Sequence, residues 1–156
     1  ALTGHLVLAT VHTNDAPSTI TRLVDMGIEP FNVASAVTLI TAQRLVRRIC
    51  DHCREPAAYP DEYLLAAGLG SDGDIEFQRG AGCAECGGSG YRGRQGLYEV
   101  MAMSPGLRRM VLQGASADEL RAQAVSEGML SLRMDGLRKA QRGITTLEEV
   151  VRETVV

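Results

Sequence analysis

The four cysteines of this chain, Cys50, Cys53, Cys83 and Cys86, form two Cys-x2-Cys pairs with residues 54–82 between them. No other feature limits the fold as tightly. Two close pairs drawn from distant segments are what a four-thiolate zinc site requires. The competing arrangement is a pair of disulfides in a secreted protein. The spacing disfavours it, because residues at i and i+3 rarely bridge without strain, and nothing in the sequence points to secretion. The two-residue gap lets each pair form a tight turn whose N–H groups face the sulfurs, and Gly87-Gly88 suits such a turn. Four thiolates around one Zn²⁺ leave a net charge of about −2, which the flanking Arg47, Arg48, Arg54, Arg92 and Arg94 are expected to offset. With four sulfur ligands no position stays open for water, so the expected role is structural. His52 reads as a solvated turn residue rather than a further ligand.

Composition narrows the remaining choices. Of the 156 residues 45% are apolar, enough for the core of an ordinary domain and too many for a fully disordered chain. The net charge of −3 argues against a general nucleic-acid binder, which would be basic. The longest apolar runs, around Leu6–Val11 and Val33–Ile40, fall short of the ~20 residues of a transmembrane segment. The chain opens Ala-Leu-Thr-Gly-His with neither Met nor a charged-then-apolar leader, and reads as a piece of a longer protein.

Periodicity lays out the elements. His5–Val11 is apolar on both faces, which predicts a central strand of a parallel sheet. Thr13-Asn14-Asp15 then caps a helix with Pro17 in its first turn, a buried stripe of Ile20, Leu23, Val24 and Met26, and Gly27 at its end. Together these give half of a βαβ unit and an α/β fold class. Pro30 opens a short helix, and Val37–Ile49, rich in β-branched residues, reads as a second strand. Cys50–Tyr98 is glycine-rich and short of apolar runs, so metal is expected to replace much of its missing core. Within it a short helix is predicted over 61–67 and strands over Ile75–Gln78 and Gly96–Met101. The remainder is helical. Ser104-Pro105 caps one helix, Ser116-x-x-Glu119 and Thr145-x-x-Glu148 match capping boxes, and Gly114, Gly128 and Gly143 punctuate. Leu120, Ala124 and Val125 form one stripe; Leu130, Met134, Leu137 and Lys139-Ala140 carry the next helix. The domains expected are 1–49, 50–98 and 99–156.

For chemistry outside the cysteines, His12 is the foremost candidate, because it stands where the first strand ends and ligands of open α/β sheets bind beyond strand carboxyl ends. His5 stands seven residues earlier, ~20 Å away along an extended strand, too far for one catalytic pair unless the strand bends or a neighbouring chain supplies the second ring. The sequence holds no Gly-x4-Gly-Lys-[Ser/Thr] phosphate loop, no Gly-x-Ser-x-Gly and no His-Glu-x-x-His. Lys139, the only lysine, is a poor phosphate clamp.

Thr3-Gly4-His5-Leu6-Val7-Leu8-Ala9-Thr10-Val11-His12-Thr13-Asn14-Asp15-Ala16 resembles the His box of the secretion ATPases, the hexameric motors of type II secretion and type IV pilus assembly. Arg22–Gly27, Ala42–Arg47, both cysteine pairs, Gly90–Val100 and Gly128–Leu137 are similar to further segments of that family, in the same order. Tyr98-Glu99-Val100-Met101 and Gly114-Ala115-Ser116 lean towards the pilus extension ATPases over the secretion ones. The resemblance implies the carboxy-terminal part of a RecA-like P-loop ATPase domain, carrying a tetracysteine zinc subdomain and a C-terminal helical segment. The phosphate loop, Asp box and Walker B segment of the family precede the His box, so ATP and Mg²⁺ would bind only the full-length protein and this chain alone would be inactive. By the same resemblance His5 and His12 lie near nucleotide or the subunit boundary, and Cys50, Cys53, Cys83 and Cys86 hold zinc. The implied assembly is a cytoplasmic homohexamer at the inner membrane, working against a membrane platform protein.

Two other readings compete. Cys83-x-x-Cys86-x-Gly88-x-Gly90 fits the repeat unit of DnaJ-type chaperones, but the first pair lacks the glycines. Arg44, Arg47, Arg48 and Arg54 would suit a zinc-ribbon nucleic-acid binder, yet aromatic residues make up only 4%, leaving little for base stacking.

Overall fold

Helix ends in this chain are set by local chemistry. A computed structural model describes residues 2–69 and 76–154. Helix α1 (Ala16–Asp25) starts where the Asp15 carboxylate accepts the Ser18 N–H at 2.8 Å, and it stops before Gly27, whose φ of +88° only glycine adopts without strain. It buries Ala16, Pro17, Thr19 and Ile20, whereas Met26, expected in the buried stripe, is 62% exposed. Met26 falls at the C-cap, beyond the last turn whose side chains face the core. Helix α2 (Pro30–Ala36) and strand β1 (Leu39–Ile49) follow as expected.

Strand β2 (Arg54–Ala57), helix α3 (Asp61–Ala67) and strand β3 (Phe77–Gly80) lie between the cysteine pairs. β2 and β3 pair antiparallel, Arg54 opposite Gly80 and Ala57 opposite Phe77. Ile75, where β3 was expected to begin, lies outside the described residues. Strand β4 (Tyr91–Ala102) is longer than predicted and pairs with β1. The Met103 N–H bonds the Thr38 carbonyl at 3.0 Å and the Cys50 N–H bonds the Gly90 carbonyl at 2.9 Å, which sets these two strands antiparallel.

Helices α4 (Pro105–Leu112), α5 (Ala117–Ser126), α6 (Leu132–Gln141) and α7 (Leu147–Glu153) complete the chain. Ser104 caps α4, and Ser116 with Glu119 forms the predicted capping box of α5. Leu130 lies outside α6. The cap of α7 is Thr146, one residue beyond the box expected from Thr145. The Thr145 hydroxyl is already spent on the Arg47 carbonyl at 2.8 Å, so its neighbour takes the Glu149 N–H.

Packing divides the chain into two compact units, Ala1–Gln43 with Tyr98–Ser131, and Arg44–Leu97 with Leu132–Val156. The first has a core of Ala16, Ile20, Val33, Ala34, Met101, Met103, Leu107, Leu120 and Met129. The second has a core of its own: Phe77 and Ala67 pack with Leu137, Ala140, Leu147 and Val150, and Tyr59 stacks on Tyr63 beside Phe77. Besides any metal, the segment between the cysteine pairs has apolar partners in helices α6 and α7.

The largest departure is at the start. Residues 5–13 form no strand, and no parallel sheet occurs among the described residues. Leu6 and Leu8 are 86% and 88% exposed. A strand apolar on both faces needs a ladder partner at its edges and a cover on each face. The described residues supply neither.

Candidate metal centre

Both cysteine pairs stand at strand ends. Cys50 follows β1 directly, and Cys53 closes a turn by donating its N–H to the Cys50 carbonyl at 3.3 Å before β2 begins. Cys83 and Cys86 frame a 3-10 turn over Ala84–Cys86, closed by Cys86 N–H to the Cys83 carbonyl at 3.3 Å and Gly88 N–H to the same oxygen at 2.9 Å. Gly87 and Gly88, at φ of +59° and +78°, allow that reversal. The turns are drawn together by the Cys50 N–H on the Gly90 carbonyl and by the Ala81 N–H on the Cys53 carbonyl at 2.8 Å. Gly80 and Gly90 meet backbone to backbone, with no space for a Cβ on either.

The result is a compact sulfur cluster. Cys50 and Cys83 Sγ are 3.9 Å apart, Cys53 and Cys86 3.9 Å, Cys83 and Cys86 3.7 Å, and all four lie within 4.8 Å of one another. A disulfide would need about 2.05 Å. A tetrahedron of sulfurs about 2.3 Å from a central Zn²⁺ has edges of about 3.8 Å. The four thiols are free, and their spacing is that of a tetrahedral metal cage.

Backbone N–H groups face two of the four sulfurs. Cys53 Sγ accepts the Gly82 N–H at 3.3 Å, and Cys86 Sγ accepts those of Cys83 at 3.2 Å and Gly90 at 3.3 Å. Without a cation, the Cys83 N–H, then Gly90, pulls Cys86 down to about 6, while burial pushes Cys53 up to about 12. Cys86 ionises readily and Cys53 resists joining it. A divalent cation at the centre removes that conflict.

Four of the five flanking arginines are held in ion pairs with carboxylates. Arg48 and Arg54 both pair with Asp51, at 2.9 and 2.6 Å, and Arg92 with Glu85 at 3.1 Å. Arg47 pairs with Glu149 at 2.7 Å. The hydrogen bonds to Cys53 and Cys86 sulfur described above come from backbone N–H groups. His52 is exposed and outside the cluster.

His5 and His12 are exposed on the irregular opening segment, His5 Nδ1 lying 3.3 Å from the Thr3 hydroxyl. The segment beyond His12 is firmly held. The Thr13 and Thr19 hydroxyls share a hydrogen bond at 2.8 Å, the Ala16 N–H donates to buried Glu99 at 2.7 Å, and Arg121 donates to Asp15 at 2.6 Å. Burial pushes Asp15 up, but the Ser18 and Arg121 bonds outweigh it and hold the carboxyl below its ordinary value. Lys139, set aside as a phosphate clamp, donates to the Gly96 carbonyl at 2.8 Å. Glu99, Arg121 and Glu149 escaped the sequence reading because their partners are far away in the chain.

The family model described as type II/IV secretion system protein matches residues 1–152, a span that includes His5, His12 and all four cysteines. The chain belongs to that family. Among type II/IV secretion system proteins, it is 54% identical over 157 residues to a type IV pilus assembly ATPase of Myxococcus xanthus, covering 99% of this chain and 28% of that protein. It is 48% identical to a type IV pilus assembly ATPase of Thermus thermophilus, with 99% of this chain and 18% of that one covered. A type II secretion system protein of Pseudomonas aeruginosa, HxcR, is 47% identical, with 99% and 29% covered. The chain thus spans less than a third of the curated relatives it matches. No described helix is long and apolar enough to cross a membrane.

Proposed function

We propose that this chain is the carboxy-terminal portion of the motor domain of an ATP-driven machine that assembles type IV pili. The observation that carries the reading is the 54% identity, over 99% of the chain, to a pilus assembly ATPase. The same extent of match to HxcR supports type II secretion as the second reading.

In this proposal residues 1–49 belong to a RecA-like nucleotide core, 50–98 to a zinc-binding subdomain and 99–156 to a helical one. The phosphate loop and the Mg²⁺ ligands come from a part of the protein outside this sequence, and phosphoryl transfer needs both. Hydrolysis by the chain alone is therefore expected at the level of a protein-free blank. His5 and His12, on the exposed opening segment, reach towards nucleotide or a neighbouring subunit. Cys50, Cys53, Cys83 and Cys86 hold zinc, whose closed four-sulfur coordination supplies rigidity rather than chemistry. The working assembly is a homohexamer at the cytoplasmic face of the inner membrane, moving against a platform protein.

The test is a segment exchange. This chain replaces the matched 157 residues of the Myxococcus xanthus protein in a strain without its own copy, and the corresponding residues of HxcR in a secretion strain. Surface pili should return in the first while secretion stays low in the second. A stably produced chimaera that restores secretion but no pili overturns the assignment.

A further inference from the structure

A cage of four cysteines binds metal tightly only if both pairs are already near their bound positions. A chain that must order itself around the ion spends binding free energy on that ordering. In this molecule groups other than sulfur hold the pairs together: backbone bonds between the turns and strands, and side chains from α7 and the loop that enters it.

The loop and helix grip both flanks of the cage. On the side of Cys50, the Ile49 N–H donates to the Ile144 carbonyl at 3.0 Å and the Thr145 hydroxyl to the Arg47 carbonyl at 2.8 Å. Glu149 Oε2 accepts the Arg47 backbone N–H at 2.9 Å, while Oε1 accepts Arg47 Nε at 3.0 Å and Nη2 at 2.7 Å. On the side of Cys86, the guanidinium of Arg47 lies 4.0 Å from the centre of the Tyr91 ring, and the Tyr91 hydroxyl shares a hydrogen bond with Thr146 at 3.0 Å. Glu149 is 1% exposed, and its remaining ion pair, with Arg152 at 2.7 Å, comes from its own helix. A carboxylate removed from water in this way is tolerated only because every partner is in place. It fixes Arg47, Arg47 fixes Tyr91, and these two residues lie three before Cys50 and five after Cys86.

We propose that Glu149 is a positioning residue for the metal centre, holding the two cysteine pairs in register through Arg47 and Tyr91 so that the cage is preformed before metal arrives. The proposal rests on the four cysteines being a metal site. Glu149 touches neither metal nor sulfur. Its effect is on affinity and on the rate of metal release.

The experiment uses the 156-residue chain with Zn²⁺ in competition with a chromophoric chelator, at a temperature where circular dichroism shows the metal-free form folded. Glu149→Gln should weaken zinc binding about tenfold or more, the usual scale for partners behind a ligand. Tyr91→Phe keeps the ring under Arg47 and loses only the hydroxyl, so its loss should be smaller, roughly threefold. Val150→Ala removes core packing one residue along α7 and leaves the clamp intact; its zinc affinity should match the parent within about twofold. If Glu149→Gln does not fold without metal, its zinc-release rate from the loaded protein, with Tyr91→Phe, gives the same comparison. Glu149→Gln binding zinc like the parent, or Val150→Ala weakening it equally, overturns the clamp and leaves the metal site standing. A parent chain that takes up no zinc overturns both.

Discussion

Gly136 sits in the middle of α6, where glycine ordinarily costs about 0.5–1 kcal/mol relative to alanine. It stands there for want of space: a Cβ at 136 would lie 2.5 Å from Val150 Cγ1 and 3.1 Å from Leu97 Cδ1. The helix approaches α7 and β4 only because that atom is missing. Gly136→Ala should therefore lower stability by about 1–3 kcal/mol, as overpacking does, despite the better helix propensity of alanine. A urea midpoint that rises instead would show that the contact relaxes freely. Gly80 and Gly90 are subject to the same constraint beside the cysteines, where two backbones face each other. Nothing local in the sequence marks these three glycines apart from the many that close turns. Their close neighbours in space lie ten or more residues away in the chain.

Among the elements, the helix caps were legible wherever one side chain reaches its own backbone. Ser116 Oγ accepts the Glu119 N–H at 3.3 Å and Glu119 returns to the Ser116 N–H at 2.8 Å, as the spacing requires. At α7 the spacing failed by one residue, since two adjacent threonines are equally able to cap and only the Arg47 carbonyl decides between them. The cap of α1 carries a measurable charge effect. Asp15 has a depressed pKa, so its stabilisation is fully present above the ordinary carboxylate value of about 3.9 and is lost as pH falls through the depressed one. The gap in urea midpoint between the parent and Asp15→Asn should be widest near pH 5 and close as pH drops towards about 2. A gap independent of pH would mean that the carboxylate charge contributes nothing.

For the whole molecule, two cores imply two responses to metal loss. Chelation should raise amide exchange in the turns around Cys50–Cys53 and Cys83–Gly90, and through β2 and β3, while α4 and α5 keep their protection. Equal loss of protection in α4 and α5 would show that the ion governs the entire chain. The sequence by itself determined the cysteine spacing, most helix ends and the order of the motifs, because each of those is decided within a turn or two of backbone. Tertiary structure alone decided the rest. Whether Leu6–Val11 becomes a strand depends on what lies beside it, and no pattern within the run encodes that. That Glu149 meets Arg47 across 102 positions depends on how α7 comes to lie against β1, a pairing that burial enforces and local sequence does not record.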